Sequence, residues 1–230
     1  NRKMKWLSEC IYCHHPLYHL KDGMLKCSRC KAKYSAERVN KIITLIECFC
    51  RNENALQASS RLQLSYVSVH RYFNTFRQLA AQICEDAYNA RRDKPCEYEE
   101  YYYLERSKHN NRQAVFDAHN FLTFDYEGHL YTIVMPSLQK YRQQFIDDNL
   151  EDLYASEFNR FKRKSRIIKV SKQLNKIVAF WEYFERSILI YKGVSAESFP
   201  LYLKELEFKF NHEVQTQKIL LERYYFRSIA

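Results

Sequence analysis

Two cysteine pairs carry the plainest chemistry in the chain: Cys10-Ile11-Tyr12-Cys13 and, thirteen residues on, Cys27-Ser28-Arg29-Cys30. A C-x-x-C knuckle turns two thiolates towards one point. Two knuckles supply the four soft ligands of a closed tetrahedral site, the set that structural zinc prefers. Between them lies Lys21-Asp22-Gly23, a turn signal flanked by two short strand-like runs. Knuckle, hairpin, knuckle is the layout of a zinc ribbon, with Cys10, Cys13, Cys27 and Cys30 on one Zn2+. Two disulfides are the other use of four such residues, and they belong to oxidising compartments. A Lys-rich chain with no apolar leader reads instead as cytoplasmic, where thiols stay reduced. His14, His15 and His19 sit close by, as bystanders or as contacts to phosphate. A ribbon this small buries little core, so the metal supplies much of its folding free energy.

A second constellation follows the ribbon. Ser35 reads as an N-cap, and Val39, Ile42, Ile43, Leu45, Ile46, Phe49 and Cys50 recur at helical spacing. Cys48 and Cys50 fall within that apolar pattern and read as buried thiols. After Asn52-Glu53-Asn54 come a short helix, Ala55 to Leu62, a turn at Gln63-Leu64-Ser65, and a longer helix from Tyr66. Small residues where two helices meet and a serine ahead of the second helix match a helix-turn-helix. Ser65, Tyr66, Ser68, His70 and Arg71 would lie on the exposed start of the reading helix, where serines and an arginine can reach phosphates or base edges. That helix continues through Ile83 and Ala87 to a basic, Pro-terminated boundary, Arg91-Arg92-Asp93-Lys94-Pro95.

The charge balance points the same way. Of 230 residues, 37 are Lys or Arg and 27 are Asp or Glu, a net charge of +10, which predicts an acidic partner, most often nucleic acid. The densest cationic run is Lys162, Arg163, Lys164 and Arg166, with Lys169 just beyond, and it is expected to follow a DNA backbone. With 3 Gly and 4 Pro there is little flexible linker, and helices should dominate. No run of apolar residues is long enough for a membrane span.

Past Pro95 the pattern changes. The tyrosines of Glu97 to Leu104 favour a strand, as do Gln113 to Phe116, continuing towards Phe124, and Leu130 to Met135, with Glu127-Gly128 as a hairpin turn. Helices are expected over Ser137 to Phe145, Gln173 to Tyr191, Ser198 to Phe210 and Glu213 to Tyr225, and a strand over Ile167 to Val170. Strands first and long helices afterwards indicate an α+β multidomain chain.

The order of parts resembles small zinc-ribbon insertion-sequence transposases of the DDE class. Three segments carry the likeness besides the ribbon. Phe180-Trp181-Glu182-Tyr183-Phe184 is similar to that family's Phe-Trp helix, and Gly193-Val194 falls where the family has a Gly-Val or Gly-Ile. Tyr202-Leu203-Lys204-Glu205-Leu206-Glu207-Phe208-Lys209-Phe210-Asn211 is close to its C-terminal signature. The resemblance implies a zinc ribbon over 1–36, a helix-turn-helix domain over 37–94 and an RNase H-like α/β domain over 95–230. It implies double-stranded DNA as partner, a homodimer or larger assembly on paired ends, no membrane, and a nucleoid-associated cytoplasmic location.

It also implies carboxylates around paired Mg2+ or Mn2+ ions. The first family acid falls at Glu99, in Glu99-Glu100-Tyr101-Tyr102-Tyr103, one methylene longer than the aspartate expected. The third falls at Val178, which cannot ligate a metal. Asp148, or Asp147 beside it, is nearest to the second. Glu182 and Glu185, four and seven residues after Val178, share its helical face and are the replacement candidates. Two functions follow: a transposase-family protein that recognises mobile-element ends and cleaves and joins strands, provided the altered site is competent, or a catalytically inactive DNA-binding regulator. A ribbon-bearing subunit of a larger nucleic-acid machine is a third class.

Overall fold

The structure is a computed structural model that describes residues 8–105, 114–143, 175–191 and 193–228. Asp147, Asp148, His109, the cationic run Lys162 to Lys169 and the strand expected at Ile167 to Val170 lie outside the described residues. The chain groups into two compact units, Asn1–Ile83 with His212–Ala230, and Cys84–Asn211. The sequence boundaries were drawn at 36 and 94, with everything after 94 in one domain. In the structure the last helix groups with the N-terminal residues, because its buried face packs there.

In the first unit, β1 (Leu17–His19), β2 (Met24–Cys27) and β3 (Lys33–Ser35) form an antiparallel sheet in that order. Asp22 shapes the β1–β2 turn by accepting the Met24 N–H at 3.1 Å, and Gly23 takes the left-handed φ of +75° that the turn needs. Helix α1 (Ala36–Cys50) starts at Ser35, whose hydroxyl accepts the Arg38 N–H at 3.3 Å. Helix α2 (Ala55–Leu62) opens with a reciprocal capping box between Asn54 and Gln57, both bonds 2.9 Å. Helix α3 (Tyr66–Asn89) follows after three residues, and the C-terminal α6 (Val214–Ser228) packs against α1. Phe49 of α1 meets Phe73 and Phe76 of α3 edge-on at 5.4 and 5.7 Å, and Phe76 meets Tyr225 of α6 at 5.9 Å. Each fully buried phenylalanine contributes roughly 1.5–3 kcal/mol. Glu47 then ties α1 to α6 through Lys218, 2.7 Å away.

In the second unit, β4 (Glu97–Tyr103), β5 (His119–Tyr126) and β6 (His129–Val134) make an antiparallel meander. Glu127 and Gly128 both have positive φ, 53° and 87°, as a two-residue hairpin turn of the twist-matched kind requires. The run from Gln113 was expected to be strand. Ala114–Asp117 is instead a 3-10 turn, and the ladder with β4 begins only at Tyr103↔His119. Local β propensity does not extend a strand past the end of its partner. The helix expected from Ser137 begins as a 3-10 turn, Leu138–Tyr141, capped by Ser137.

Helix α4 (Lys176–Ile188) lies on one sheet face. There Tyr101 stacks on Trp181 at 4.8 Å, Tyr103 meets Phe184 at 5.2 Å, and the Trp181 indole N–H donates to Thr123 Oγ1 at 3.0 Å. Helix α5 (Phe199–Asn211) carries the signature segment, in which Leu201, Leu203, Leu206, Phe208 and Phe210 make an apolar pattern that suggests packing. Leu203, Leu206 and Phe208 are indeed buried, but its polar residues also clamp β6. Asn211 accepts the Leu130 N–H at 2.9 Å and donates to the Leu130 carbonyl at 2.7 Å. Glu207 Oε2 accepts from the Thr132 N–H (2.8 Å), the Thr132 hydroxyl (2.5 Å) and the Lys204 ammonium (2.8 Å). Side chains thus satisfy backbone groups that water or another strand would otherwise have to reach. Glu205 is buried beside them, taking hydrogen bonds from Lys209 and Tyr191, each 2.6 Å.

Candidate functional site

The four cysteines of the two knuckles converge, with every pair of sulfurs within 4.8 Å. The shortest approaches run between knuckles, Cys13 to Cys27 at 3.4 Å and Cys10 to Cys30 at 3.6 Å. A disulfide would need about 2.05 Å, whereas four sulfurs about 2.3 Å from one ion stand about 3.8 Å apart. The spacing is that of ligands to a shared metal. Both knuckles have the same backbone device: the residue after the second cysteine, His14 or Lys31, is left-handed (φ 59° and 62°). Within each, an N–H two residues on faces the first sulfur, Tyr12 to Cys10 and Arg29 to Cys27, both at 3.4 Å. Burial pushes the Cys10 thiol up to about 12, while at Cys27 the N–H groups of Cys30 and Arg29 outweigh burial and bring it down to about 6. Four thiols this close deprotonate together only around a cation. Soft tetrahedral sulfur ligation suits zinc.

Further side chains brace the cluster, among them His15, which sequence reasoning left as a bystander or a phosphate contact. His15 Nε2 accepts from the Arg29 guanidinium at 2.9 Å, which makes Nδ1 the protonated nitrogen, donating to the Cys13 carbonyl at 2.8 Å. His15 therefore links one knuckle to the other and has no nitrogen left for a metal. Buried Tyr34 accepts the Ile11 N–H at 3.2 Å and meets Tyr12 edge-on. Burial raises the Tyr34 phenol well above its usual range, so it stays neutral. The only local signal for this bracing is a histidine and an arginine each two residues from a ligand cysteine. His14 and His19 are exposed.

The segment expected to read DNA is a helix, a three-residue turn and a helix. Gln63 ends α2 in the left-handed conformation (φ 52°), and the Ser65 carbonyl accepts the first α3 bond, from Val69 at 3.1 Å. Val69, Phe73, Phe76 and Ala80 form the buried stripe of α3. Ser65, Tyr66 and Arg71 are exposed, and Ser68 and His70 are half-buried. All five lie within two turns of the start of α3, and the Tyr66 and His70 rings are 5.7 Å apart. Arg61 at the end of α2 is held by Glu53, at 2.9 Å, and does not join them.

The carboxylates behave differently. Glu99 lies on the helix-covered face of β4, where Oε1 takes a long bond, 3.4 Å, from Asn175, the residue that caps α4. Its Oε2 is buried without a partner among the described residues. Val178, at the third acid position, is buried and gives its N–H to Asn175 at 2.9 Å. Glu185 accepts the Tyr101 hydroxyl, and Glu182 is exposed. Among the described residues the four cysteines are the one group of three or more His, Cys, Asp or Glu side chains placed to hold a metal.

Over 112 residues the chain is 28% identical to an "Uncharacterized transposase-like protein" of Haemophilus influenzae, a match covering 41% of this chain and 91% of that protein. The likeness is to a transposase-related family. No family model matches the chain, and no solved structure matches it. Together, this relation and a four-cysteine cluster able to hold a metal support transposase relatedness and metal binding. No helix among the described residues is long and apolar enough to cross a membrane.

Proposed function

We propose that this protein binds double-stranded DNA at the ends of a mobile element, through the zinc ribbon and the α2–α3 helix-turn-helix. The observation that carries the reading is the solvent-facing start of α3, where Ser65, Tyr66 and Arg71 are exposed directly after a three-residue turn. The net charge of +10 supports an acidic partner, and the transposase-like relative supports mobile-element DNA as its source. The RNase H-like reading of 95–230 is supported by the antiparallel β4–β5–β6 meander with α4 across one face. The protein works as a homodimer or larger assembly on paired ends. The test is binding of the full chain to element-end duplexes across a salt series. Tight binding that steepens with falling salt, and survives competitor DNA, is expected; affinity no better than for unrelated duplex would overturn the reading.

A second reading has its own support. Val178 is buried where the third acid would stand, and Glu185 is engaged by Tyr101. These favour a regulator that binds DNA without cutting it over a Mg2+-dependent nuclease. End-repeat DNA incubated with Mg2+ or Mn2+ beside a Glu99→Ala control separates them. Metal-dependent nicking that disappears in the control would restore the cleaving enzyme.

A further inference from the structure

The exposed surface of α2 and early α3 is made of the wrong residues for a face that only meets water. Solvated helix faces are stocked with charged residues. From Asn54 to Cys84 this chain has no aspartate or glutamate. Its exposed positions include Leu56, Gln57, Gln63, Tyr66, Val67 and Arg71. Val67 is 65% exposed and Leu56 64%. At about 100° per residue, Val67 and Arg71 stand one turn apart on one line of α3, opposite the buried stripe of Val69, Phe73, Phe76 and Ala80. Packing therefore explains neither residue. Arg71 has no ion-pair partner among the described residues. An apolar branched side chain beside an unpaired guanidinium, on a face free of carboxylates, suits a surface that carries phosphates and presents methyl groups and paired acceptors. The major groove of duplex DNA is such a surface.

We infer that Val67 and Arg71 are specificity-determining residues: Val67 packs on the C5-methyl of a thymine, and Arg71 donates a bidentate pair of hydrogen bonds to O6 and N7 of a guanine. This rests on the DNA-binding reading above. One helical turn advances about 5.4 Å and one base step about 3.4 Å, so the two bases lie one to two steps apart in the recognised half-site. The Arg71 guanidinium supplies the fork that guanine matches, which a lysine ammonium does not.

The experiment selects binding sites for the full chain from a random duplex library, then measures affinities on the enriched sequence. The enriched site is expected to hold a guanine and a thymine within two steps. Arg71→Ala should cost about ten- to a hundredfold in affinity and relax the guanine alone. Arg71→Lys should keep salt-dependent binding yet also lose the guanine preference. Replacing that thymine by uracil removes only the methyl group, so it should weaken binding by the original chain and leave Val67→Ser unaffected. Both positions are exposed, and circular dichroism checks that the variants stay folded. An enriched site on which these variants keep the original base preferences overturns the inference and leaves DNA binding standing. Failure to enrich any duplex overturns the DNA-binding reading, and the inference with it.

Discussion

The four cysteines near the N-terminus and the glutamates around α4 are both sets of side chains expected to hold metals, the first from their spacing and the second from a family resemblance, yet among the described residues only the cysteines are gathered closely enough to share one ion. The cysteines meet because each knuckle is a local turn and one short hairpin joins the two. Twenty-one residues, Cys10 to Cys30, hold the whole ligand set, and left-handed His14 and Lys31 aim the sulfurs inward. The glutamates depend on packing between a strand and a helix more than seventy residues later. There the space is taken by Val178, and by Tyr101 reaching Glu185. A metal site made by local turns asks little of the rest of a fold, whereas one made by tertiary packing depends on every position that packs around it.

That contrast can be broken most forcefully at the cysteines. Cys10→Ser, or removal of metal by a strong chelator, is expected to abolish the ribbon's ordered structure, because metal binding and folding are one equilibrium in so small a module. Elemental analysis should find one zinc per chain, lost in the variant; a fully folded, metal-free ribbon would refute the assignment. The next largest effects belong to the second unit's buried contacts. Glu207→Ala strips the acceptor from the Thr132 N–H, the Thr132 hydroxyl and Lys204, at a cost of about 3–5 kcal/mol in chemical denaturation. Trp181→Ala opens a cavity under Tyr101 and removes the bond to Thr123, for about 3–5 kcal/mol. A loss below about 1 kcal/mol at either position would contradict the packing described.

Glu99→Ala sharpens the comparison from the other side. A half-buried carboxylate with one long bond and one unpartnered oxygen contributes little, so its removal should change stability by no more than about 0.5 kcal/mol. Mg2+ should not raise the melting temperature of either form; a Mg2+-dependent rise that Glu99→Ala abolishes would show a working metal site. The smallest effect is at Asp22. Its hydrogen bond to the Lys33 ammonium, 2.8 Å away, holds the carboxyl below its usual range. That depressed value makes the pair's contribution fully present above the ordinary carboxylate range and lost as pH falls through the lowered folded value. Lys33→Ala should return Asp22 towards its usual titration, read by NMR, with no measurable change in melting temperature at neutral pH.

The convergence of the four cysteines was legible because their spacing is a complete geometric instruction within one short segment. The helices from Ala36 to Asn89 were legible from apolar periodicity and caps, and the α2–α3 turn fell at Gln63-Leu64-Ser65 as the pattern indicates. The strand from Gln113 was misread because the position of its partner, β4, decides where β5 begins. The signature on α5 reads as apolar spacing, and nothing local says that Asn211 and Glu207 will satisfy β6. The pairing of His15 with Arg29 was equally hidden, since it needs the two knuckles face to face.

By itself the sequence determined the four-cysteine cluster that can hold a metal, the helical register of the N-terminal unit and the charge that calls for an acidic partner. Each of these depends on neighbours within a turn or a hairpin, where covalent spacing leaves few choices. Tertiary structure alone decided that Glu99 faces the capped end of α4. It also decided that Val178 fills core space and that α6 belongs with the N-terminal residues. Those outcomes follow from how surfaces far apart in the chain fill one another, a competition for space that no local pattern records.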